Sequence, residues 1–410
     1  MKRVRTMFLT VAISVMMAVS ACGQAPASQN PGTSDQPTQQ QSGETSAEPI
    51  KIGAILPYSG VYTSLGENLT KGMELYFDSV NWEVEGRKIE LIKEDEENDP
   101  QAALRKLRKL MEKDQIDILT GPVSTAVAYA LRDEVDKNKL PFLVSHAGGN
   151  DLTRSKRSDY IWRSSFSSWQ IGHSMGQYAY DHVAKEVYVT AADYAFGQEV
   201  AAAFKEAFTA AGGTIVGEVY PPLGSNDYAS FLTQIQSVNP PAVYAFFAGS
   251  DSVRFVQQYE QYGLKGKIPL IGSGWLNAED IRPAQGTAGD GIISTMFWDY
   301  HLDTPENKAF VEAYEAKYAQ RPSIESLEGY DAARVIVEAL KLVKGDTSDK
   351  DSLAKALGSV RFTSPRGEIS FDPSTHHVIQ NMYVVQTEVA DGKTENKVLE
   401  TIGVVKDPGQ

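Results

Sequence analysis

The chain has 410 residues, of which 42% are hydrophobic and 22% are charged. This length and composition are typical of a soluble globular protein with room for two domains. The formal net charge of −14 argues against nucleic acid as a partner, because surfaces that bind nucleic acid are normally basic. The chain contains one cysteine, which excludes an internal disulfide, a cysteine-based metal site and a CxxC redox pair.

The first 21 residues have the features of an export signal. A basic start over residues 2–5 precedes an apolar run over residues 7–19, which is too short for a membrane-spanning helix. The next residues, Val19-Ser20-Ala21-Cys22, resemble a bacterial lipobox. The sequence therefore predicts cleavage before Cys22 and lipidation of that cysteine. The alternative is a plain signal peptide with an incidental cysteine, but the position of the single cysteine favours lipidation.

Residues 23–48 are rich in Gln, Ser, Pro, Thr and Gly and show no apolar periodicity. Such a composition is typical of a disordered segment. Residues 22–48 are therefore predicted to be a lipidated cysteine and a tether. This tether would hold a folded body on the extracytoplasmic face of the cell membrane, with the lipid as the only contact with the bilayer.

From residue 49 onward, predicted strands and helices alternate. Apolar runs bounded by Gly, Pro and Asp predict strands, and apolar residues at helical spacing predict the helices between them. Strands are predicted at 49–56, 88–93, 118–119, 140–144, 187–190, 214–220, 242–247, 268–271 and 292–295. Helices are predicted at 65–80, 100–111, 126–137, 169–183, 227–238, 305–318, 327–343 and 350–357, with an alanine-rich helix ending at Ala211 and another after Asp251.

This alternation predicts an α/β fold with parallel sheets covered by helices on both faces. A polar run over residues 164–168 suggests a crossing of the chain, after which the pattern starts again, so two similar Rossmann-like lobes are expected. The predicted lobe 1 is 50–166 plus 298–358, and lobe 2 is 167–297 plus 359–405. Residues 368–371 and 380–386 are predicted to form a final hairpin.

Small residues follow two neighbouring predicted strands. The loop after residue 119 contains Ser124 and Thr125, and the loop after residue 144 runs Ser145-His146-Ala147-Gly148-Gly149. The carboxyl ends of parallel strands face the ligand crevice in such sheets. Ser124 at a helix start leaves backbone N–H groups and a positive dipole end for an anion. The alternative is that Ser124 is only a helix cap.

The sequence gives little support for catalysis. It contains no GxxxxGK[ST], HExxH, GxSxG or GxGxxG motif. Ser124, His146 and an aspartate could be arranged as a triad, but no strained nucleophile turn or oxyanion hole is evident. The adjacent His376 and His377 would point to opposite faces of a strand and chelate a metal poorly, and both are expected to be exposed. No enzyme activity, metal or cofactor is expected.

Several motifs together resemble the type I periplasmic binding proteins of the branched-chain amino acid class, the receptors of ABC importers. The resemblance covers residues 50–405. It implies two lobes joined by three crossings, a monomer that closes on a small solute in the cleft, and ABC permease subunits as partners. The motifs are the lipobox, Ile52-Gly53, Pro57-Tyr58-Ser59-Gly60, Gly121-Pro122-Val123-Ser124, the Ser145 loop with Leu152-Thr153, Asp193-Tyr194 with Gly197, and Gly329-Tyr330-Asp331.

The resemblance implies that Ser124 holds a ligand carboxylate and that Tyr194 contacts the ligand from the second lobe. The family usually has an acidic residue near Trp275 for the ligand amino group, and this chain has none there. An unpaired buried ammonium costs several kcal/mol, so an amino acid is a poor fit. The ligand-binding residues implied are Ser124, Thr125, Ser145, Ala147, Gly148, Gly149, Trp169, Tyr194, Phe247, Gly249 and Trp275.

Aromatic residues suggest the kind of ligand. Phe166, Trp169, Tyr194, Phe247 and Trp275 lie at or near predicted loops that face the cleft, and their surroundings are similar to those in family members that bind benzoate-type acids. Each of them could instead be core packing. A small carboxylate with an aromatic body is therefore predicted. The alternatives are a branched-chain amino acid or amide receptor, and a solute-sensing module without transport.

Overall fold

Parallel strands dominate both halves of the chain in the computed structural model, which describes residues 48–409. The predicted signal segment, Cys22 and nearly all of the predicted tether lie outside those residues. The strands are β1 Ile50–Leu56, β2 Glu83–Val84, β3 Arg87–Asp95, β4 Ile118–Gly121, β5 Phe142–Val144, β6 Ile161–Arg163, β7 Glu186–Ala191, β8 Thr214–Val219, β9 Val243–Phe246, β10 Leu270–Ser273, β11 Ile293–Met296, β12 Phe362–Ser364, β13 Gly367–Asp372, β14 His377–Ala390 and β15 Lys393–Val405.

Helices connect most of the parallel strands. They begin within a few residues of the predicted starts because the same apolar spacing that predicts them faces the sheet. The helices are α1 Thr63–Ser79, α2 Pro100–Lys109, α3 Thr125–Lys137, α4 Ser168–His182, α5 Ala195–Ala210, α6 Ala229–Val238, α7 Gly249–Gln261, α8 Arg282–Gln285, α9 Pro305–Tyr318, α10 Ile324–Leu342 and α11 Lys350–Ser359.

The strand order shows two α/β halves. It runs β2-β3-β1-β4-β5-β6-β14-β11-β10-β9-β7-β8. We call β1–β6 with their helices the first half and β7–β11 with their helices the second half. In both halves the first long strand lies between the second and the third, as in a doubly wound fold. The predicted α/β fold with two Rossmann-like lobes is confirmed.

Strand β14 belongs to both halves. Its start pairs with β13 and, through His377, with Arg163 of β6, whereas Tyr383–Gln386 pair with β11. The register between β14 and β15 shifts at Met382/Tyr383 and again at Val384/Val385, with one extra residue of β15 at each shift. The predicted final hairpin corresponds to β13 and β14. Strands β6 and β15 were not predicted.

The segment after α11 packs differently from the predicted lobe boundary. Phe362, Ile369 and Phe371 lie in the same core cluster as Ile52 and Leu69 of the first half, so residues 359–378 do not belong with the second half. Conversely, residues of α9, which were predicted in lobe 1, pack in a cluster dominated by the second half. Lobe membership is decided by long-range packing that local patterns do not encode.

A buried arginine joins the crossings between the halves. Arg366 donates to the carbonyl oxygens of Ser164 at 2.6 Å and Ser165 at 3.3 Å, and to Gln380 Oε1 at 2.5 Å. Its Nε lies 2.9 Å from Asp331 Oδ2. One side chain thus holds the polar run after β6, strand β14 and helix α10 together, with every partner removed from solvent.

The histidine pair that was expected to be exposed is buried. His377 accepts from Arg163 Nε at 3.0 Å and lies 2.8 Å from Gln170 Oε1. His376 stacks on Trp162 with ring centroids 3.7 Å apart. Both therefore support the junction between the halves. Within residues 48–409, no helix has the length and apolar character needed to cross a bilayer.

Candidate functional site

Four helices begin at one small cavity. The residues that immediately precede α1, α3, α5 and α7 are Tyr62, Ser124, Tyr194 and Ala248, and all four line the cavity. Each helix start carries unpaired backbone N–H groups and a partial positive charge. Four helix N-termini, which favour an anion, therefore lie at the edge of the cavity.

The sheet order explains this convergence. Tyr62 and Ser124 follow β1 and β4, which are neighbours in the first half, and Tyr194 and Ala248 follow β7 and β9, which are neighbours in the second. In each half the connections from these two neighbouring strands leave in different directions along the sheet. Such switch points are where doubly wound sheets bind ligands. Here the two switch points contribute to one cavity.

The cavity is small and mostly apolar. Its cavity volume is about 20 Å³, room for about one water molecule, so a larger ligand needs the walls to move apart. None of its lining residues is Asp, Glu, Lys or Arg. The lining residues are Tyr62, Leu65, Val123, Ser124, Thr125, His146, Gly148, Phe166, Tyr194, Phe196, Ala248 and Trp275.

The loop that carries Ser124 is held in place by residues that do not line the cavity. The Gly121–Pro122 peptide is cis and Gly121 has φ of +99°; a Cβ at this position would clash with the carbonyl oxygen of Ile55. Buried Glu96 accepts from the backbone N–H groups of Val123 at 2.9 Å and Ser124 at 3.0 Å. Burial raises the pKa of Glu96 to about 8, while these two hydrogen bonds act to lower it. Glu96 thus orients the loop.

Two hydroxyl groups stand at the start of α3. Ser124 Oγ caps the helix by accepting from the Val127 N–H at 3.4 Å, a long hydrogen bond. The neighbouring Thr125 Oγ1 is buried and has no hydrogen-bond partner among residues 48–409. An unpaired buried hydroxyl is costly, and Thr125 is one of the few polar residues that line this mostly apolar cavity. Thr125 therefore offers a hydrogen bond to whatever occupies the cavity.

His146 brings a buried polar pair to the cavity wall. Its ring meets Phe166 and Trp275 edge-on, with centroids 5.2 and 5.3 Å apart. Its Nδ1 lies 2.6 Å from Glu328 Oε2 on α10. Burial lowers the pKa of His146 to about 4 and raises the pKa of Glu328 well above its ordinary value.

Contacts beside the cavity bring the two halves together. Burial raises the pKa of Tyr62 and of Tyr194, and the Tyr62 hydroxyl has no hydrogen-bond partner among residues 48–409. Farther out, Glu199 of α5 accepts from Tyr129 Oη at 2.7 Å and from the backbone N–H of Asn150 at 2.8 Å. These contacts connect loops of the first half with α5 of the second half.

Aromatic rings form the other wall. Trp275 Nε1 donates to Glu325 Oε1 at 2.6 Å, and its ring lies 4.7 Å from Phe166 and 5.8 Å from Phe196 between centroids. Gly148 makes this packing possible, because a Cβ there would clash with both phenylalanine rings. The wall is thus held by one buried hydrogen bond and by close ring packing.

Five residues of the predicted site line the cavity. They are Ser124, Thr125, Gly148, Tyr194 and Trp275. Phe166, predicted as a cleft aromatic, lines it too.

Three predicted residues lie in the Ser145 loop but do not line the cavity. The backbone N–H groups of Ser145 and Ala147 donate to the carbonyl oxygens of Gly121 at 3.1 Å and Pro122 at 2.9 Å. The carbonyl oxygen of Gly149 accepts from Arg163 at 2.6 Å. These groups connect the two loops of the first half rather than face the empty space.

Three more predicted residues lie elsewhere. Trp169 is half-buried on α4, where its ring centroid is 4.0 Å from that of His173. Phe247 packs in the core between Tyr228 and Phe255. Gly249 starts α7 and lines a wider surface groove that also includes Val61.

Sequence reasoning missed part of the lining. Tyr62 and Leu65 follow the predicted Pro57–Gly60 loop, and Phe196 follows the predicted Tyr194, so extending each loop into the first helical turn would have found them. His146 was considered only as a catalytic candidate. The missed residues are Tyr62, Leu65, Val123, His146, Phe196 and Ala248.

The region that the structure describes contains no group of three or more His, Cys, Asp or Glu side chains arranged to hold a metal ion. His146 is paired with Glu328 rather than with Ser124, so the imagined triad is not assembled. Among residues 48–409, the cavity therefore presents binding groups, with no Ser–His pair beside them.

Two α/β halves that share a strand and enclose a small cavity at facing switch points define a solute-binding protein. The chain belongs to the periplasmic binding protein family, whose model matches residues 49–393, and the predicted family is confirmed. Among its relatives is Leu/Ile/Val-binding protein homolog 6 of Brucella melitensis, which is 30% identical over 371 residues, covering 88% of this chain and 94% of the relative.

Solved structures of this family are also similar. The solute-binding protein of an ABC transporter from R. palustris, in complex with benzoate, is 33% identical with a TM-score of 0.83, covering 88% of this chain and 98% of that one. A solute-binding protein of an ABC transporter from Rhodopseudomonas palustris HaA2, in complex with p-hydroxybenzoic acid, is 32% identical with a TM-score of 0.84, covering 88% of this chain and 99% of that one.

Proposed function

We propose that this chain is the substrate-binding lipoprotein of an ABC importer and that its ligand is a small aromatic carboxylate. The observation that carries the proposal is the cavity itself: four helix N-termini converge on a space walled by aromatic rings and free of charged side chains. Helix N-termini favour an anion, and the rings favour a flat apolar body.

The same lining disfavours an amino acid. An α-ammonium group needs a carboxylate partner when it is buried, and the lining contains none. The nearest carboxyl groups behind the wall are already engaged, since Glu325 accepts from Trp275 and Glu328 lies against His146. Four positive helix ends would also repel an ammonium group. The ligand-binding residues proposed are those of the predicted site that line the cavity, together with Tyr62, His146, Phe166 and Phe196.

The relatives support this ligand class. Similar solute-binding proteins were solved with benzoate and p-hydroxybenzoic acid. We extend this to the present chain because its cavity offers an anion site and aromatic walls together. Closure of the two halves on the acid, followed by delivery to permease subunits, completes the proposed role.

Isothermal titration calorimetry with four probes tests the ligand class. Benzoate is expected to bind most tightly. Benzamide keeps the ring but loses the charge, and should bind at least about tenfold more weakly, because hydrogen bonds to a charged group contribute about 1.5–3 kcal/mol. Cyclohexanecarboxylate keeps the charge but loses the aromatic face, and should be intermediate. Leucine should not bind.

A branched-chain amino acid receptor is the second candidate, and the 30% identity to a Leu/Ile/Val-binding protein homolog favours it. Tight binding of leucine with no response to benzoate would overturn the aromatic-acid proposal and support this candidate. Equal affinity for benzoate and benzamide would overturn the part of the proposal that assigns the helix N-termini to an anion.

The lipid anchor is a separate part of the proposal. It rests on the Val19-Ser20-Ala21-Cys22 motif and the polar segment that follows. Expressed in bacteria, the full chain should incorporate a labelled fatty acid and sediment with membranes, and Cys22→Ser should do neither. A labelled Cys22→Ser variant, or an unlabelled wild-type chain, would contradict lipidation at Cys22.

A further inference from the structure

His146 is the polar side chain of the lining whose second nitrogen is unused. Its Nδ1 is occupied by Glu328 Oε2 at 2.6 Å, while no residue from 48 to 409 provides a partner for Nε2. The ring is wedged between Phe166 and Trp275, so it cannot turn without displacing the cavity wall. Because His146 lines the cavity, Nε2 is the atom through which it can contact a ligand.

Whether Nε2 donates or accepts depends on Glu328. Three of the carboxyl groups on helix α10 are buried: Glu325, Glu328 and Asp331, each no more than 1% exposed. Glu325 accepts from Trp275 and from Ser323 Oγ at 2.7 Å. Asp331 is paired with Arg366 and accepts from Ser364 Oγ at 2.8 Å. Each thus has two donors beside it, which favours an ionised carboxylate, although Asp331 Oδ1 is buried without a hydrogen bond.

Glu328 has no such partners. Its Oε1 is buried without a hydrogen bond, and its Oε2 meets only His146. The charged groups that act on it are Glu325, Asp331 and Arg366, and that single cation is already paired with Asp331. A second or third negative charge here would be unfavourable. The His146–Glu328 pair is therefore expected to carry no net charge.

Resting on the proposed function, we propose that His146 determines ligand specificity by donating a hydrogen bond from Nε2 to an oxygen of the bound acid, with Glu328 as the positioning residue that keeps the proton on Nε2. A neutral pair holds two protons. If Glu328 is protonated, it donates to Nδ1 and the imidazole proton is on Nε2. If the proton has moved to form an imidazolium, Nε2 is protonated as well.

Nε2 of His146 becomes an acceptor only if the His146–Glu328 pair loses a proton. Ionised Glu328 would then accept from Nδ1–H, and Nε2 would present a lone pair to the ligand oxygen. Burial opposes this state, since it favours both neutral His146 and protonated Glu328. The pair thus favours a ligand with a hydrogen-bond acceptor near Nε2, either a carboxylate oxygen or the oxygen of a hydroxyl group on the ring.

Two matched substitutions test the donor on the full chain in detergent. In His146→Asn the amide reaches the Nδ1 position, so the contact with Glu328 is retained and the Nε2 donor is lost. In His146→Gln the amide reaches the Nε2 position and restores a donor. By calorimetry, His146→Asn should bind benzoate at least about tenfold more weakly, as expected for a hydrogen bond to a charged group, and His146→Gln should bind within about threefold of wild type.

The choice of probe identifies the ligand oxygen. If Nε2 contacts the carboxylate, His146→Asn should weaken benzoate and 4-hydroxybenzoate equally. If Nε2 instead contacts the hydroxyl oxygen attached to the ring, the variant should lose affinity for 4-hydroxybenzoate alone. Binding of both probes by His146→Asn within twofold of wild type would overturn the proposal while leaving the proposed function intact.

Two Glu328 variants and a nitrogen NMR measurement test the role of Glu328 separately. Glu328→Gln can still donate to Nδ1 and should keep wild-type affinity, whereas Glu328→Leu cannot and should weaken binding. Nitrogen NMR of the histidine-labelled full chain, with the His146 signals assigned by their absence in His146→Asn, should show protonated Nε2 from pH 5 to 8, whether or not Nδ1 is also protonated. A neutral ring protonated on Nδ1 would overturn the assignment.

The two failures are distinguishable. If the wild-type chain binds neither acid, the proposed function fails, and the NMR result still decides whether Nε2 is a donor. Protonated Nε2 would then support a donor to another acceptor, tested with leucine as the probe. If the wild-type chain binds benzoate but Nε2 is unprotonated, the specificity assignment alone fails.

Discussion

The lining of the cavity and the layer directly behind it are built from opposite kinds of residue. The lining is aromatic and small and contains no Asp, Glu, Lys or Arg. Behind it, Glu325, Glu328, Asp331 and Arg366 are each no more than 1% exposed. The charged side chains therefore lie one layer behind the lining, where they orient the aromatic wall and join the two halves. A ligand in the cavity would contact helix N-termini and aromatic rings instead. Substitutions in the two layers should consequently fail in different ways.

The largest expected effect comes from the layer behind. Arg366→Met leaves Asp331 as a buried, uncompensated carboxylate and removes the donors to Ser164 and Ser165. Breaking a buried pair in this way costs about 3–5 kcal/mol, and urea unfolding of wild type and variant measures it.

The matched control for Arg366→Met removes the stranded charge. The double variant Arg366→Met/Asp331→Asn should be more stable than Arg366→Met alone, because no unpaired carboxylate remains. A loss of less than about 1 kcal/mol in the single variant would show that the buried charges do not hold the halves together, and the contrast between the layers would lose its basis.

Trp275→Phe tests the contact between the layers. It keeps an aromatic ring in the wall but leaves Glu325 Oε1 without its donor. The free energy of unfolding should fall by about 2 kcal/mol, as for other buried hydrogen bonds to a charged group, and benzoate affinity should fall with it. Unfolding and calorimetry on the same preparation measure both.

Trp82→Phe is the control for Trp275→Phe. It removes the same kind of bond, from Trp82 Nε1 to Asp78 Oδ1 at 2.6 Å, at a solvent-exposed site away from the cavity. Its stability loss should be below about 1 kcal/mol, with benzoate affinity unchanged. Equal losses in the two tryptophan variants would mean that burial of the carboxylate does not matter.

An ion pair at the edge of the molecule provides a comparison with the buried Arg366–Asp331 pair. Asp372 lies 2.9 Å from exposed Lys406 and also accepts from Ser374. Burial alone would raise its pKa, but these partners outweigh burial and lower the pKa to about 2. Asp372→Asn should therefore cost about 1–2 kcal/mol at pH 7.

The sign of the pH dependence follows from the lowered pKa of Asp372. Its contribution is present above the ordinary aspartate pKa near 3.8 and is lost as the pH falls toward about 2. Unfolding curves of wild type and Asp372→Asn should thus differ at pH 7 and converge between about pH 4 and 2. A stability difference that persists at pH 2 would contradict the assignment.

The smallest stability effect is expected in the lining. Ser124→Ala removes a helix cap worth about 1 kcal/mol and should also weaken benzoate binding. Ser167→Ala removes the cap of α4, where Ser167 Oγ accepts from the Gln170 N–H at 3.0 Å, without touching the cavity. It should lose similar stability with unchanged affinity. If both serine variants bind benzoate like wild type, Ser124 is only a cap.

Local pattern was enough to predict most of the elements. Among the strands through β11, the predicted alternation missed only the short strands β2 and β6, because buried parallel strands are continuous apolar runs. Strand β15 was missed because its sequence carries many charged and polar residues and much of it is exposed. It is held by pairing with β14, which no local signal shows. The packing of Phe362, Ile369 and Phe371 in the core of the first half likewise depends on long-range contacts.

The site was predictable only in part. Ser124, Gly148 and Tyr194 follow strand ends, so topology alone places them near the cleft. Phe247 directly follows β9 and packs in the core, whereas Trp275 lies in a helical turn two residues after β10 and lines the cavity. The partner of His146 lies 182 residues away, a separation that no spacing rule detects.

Strand β14 has a mechanical consequence because both halves share it. Its start pairs with the first half and Tyr383–Gln386 with the second, so a movement of one half relative to the other is transmitted to this strand. Its neighbour β15 follows it with two register shifts, each with one extra residue in β15, and bulges of this kind add local twist. We therefore expect this strand pair to bend or twist where the two halves move apart.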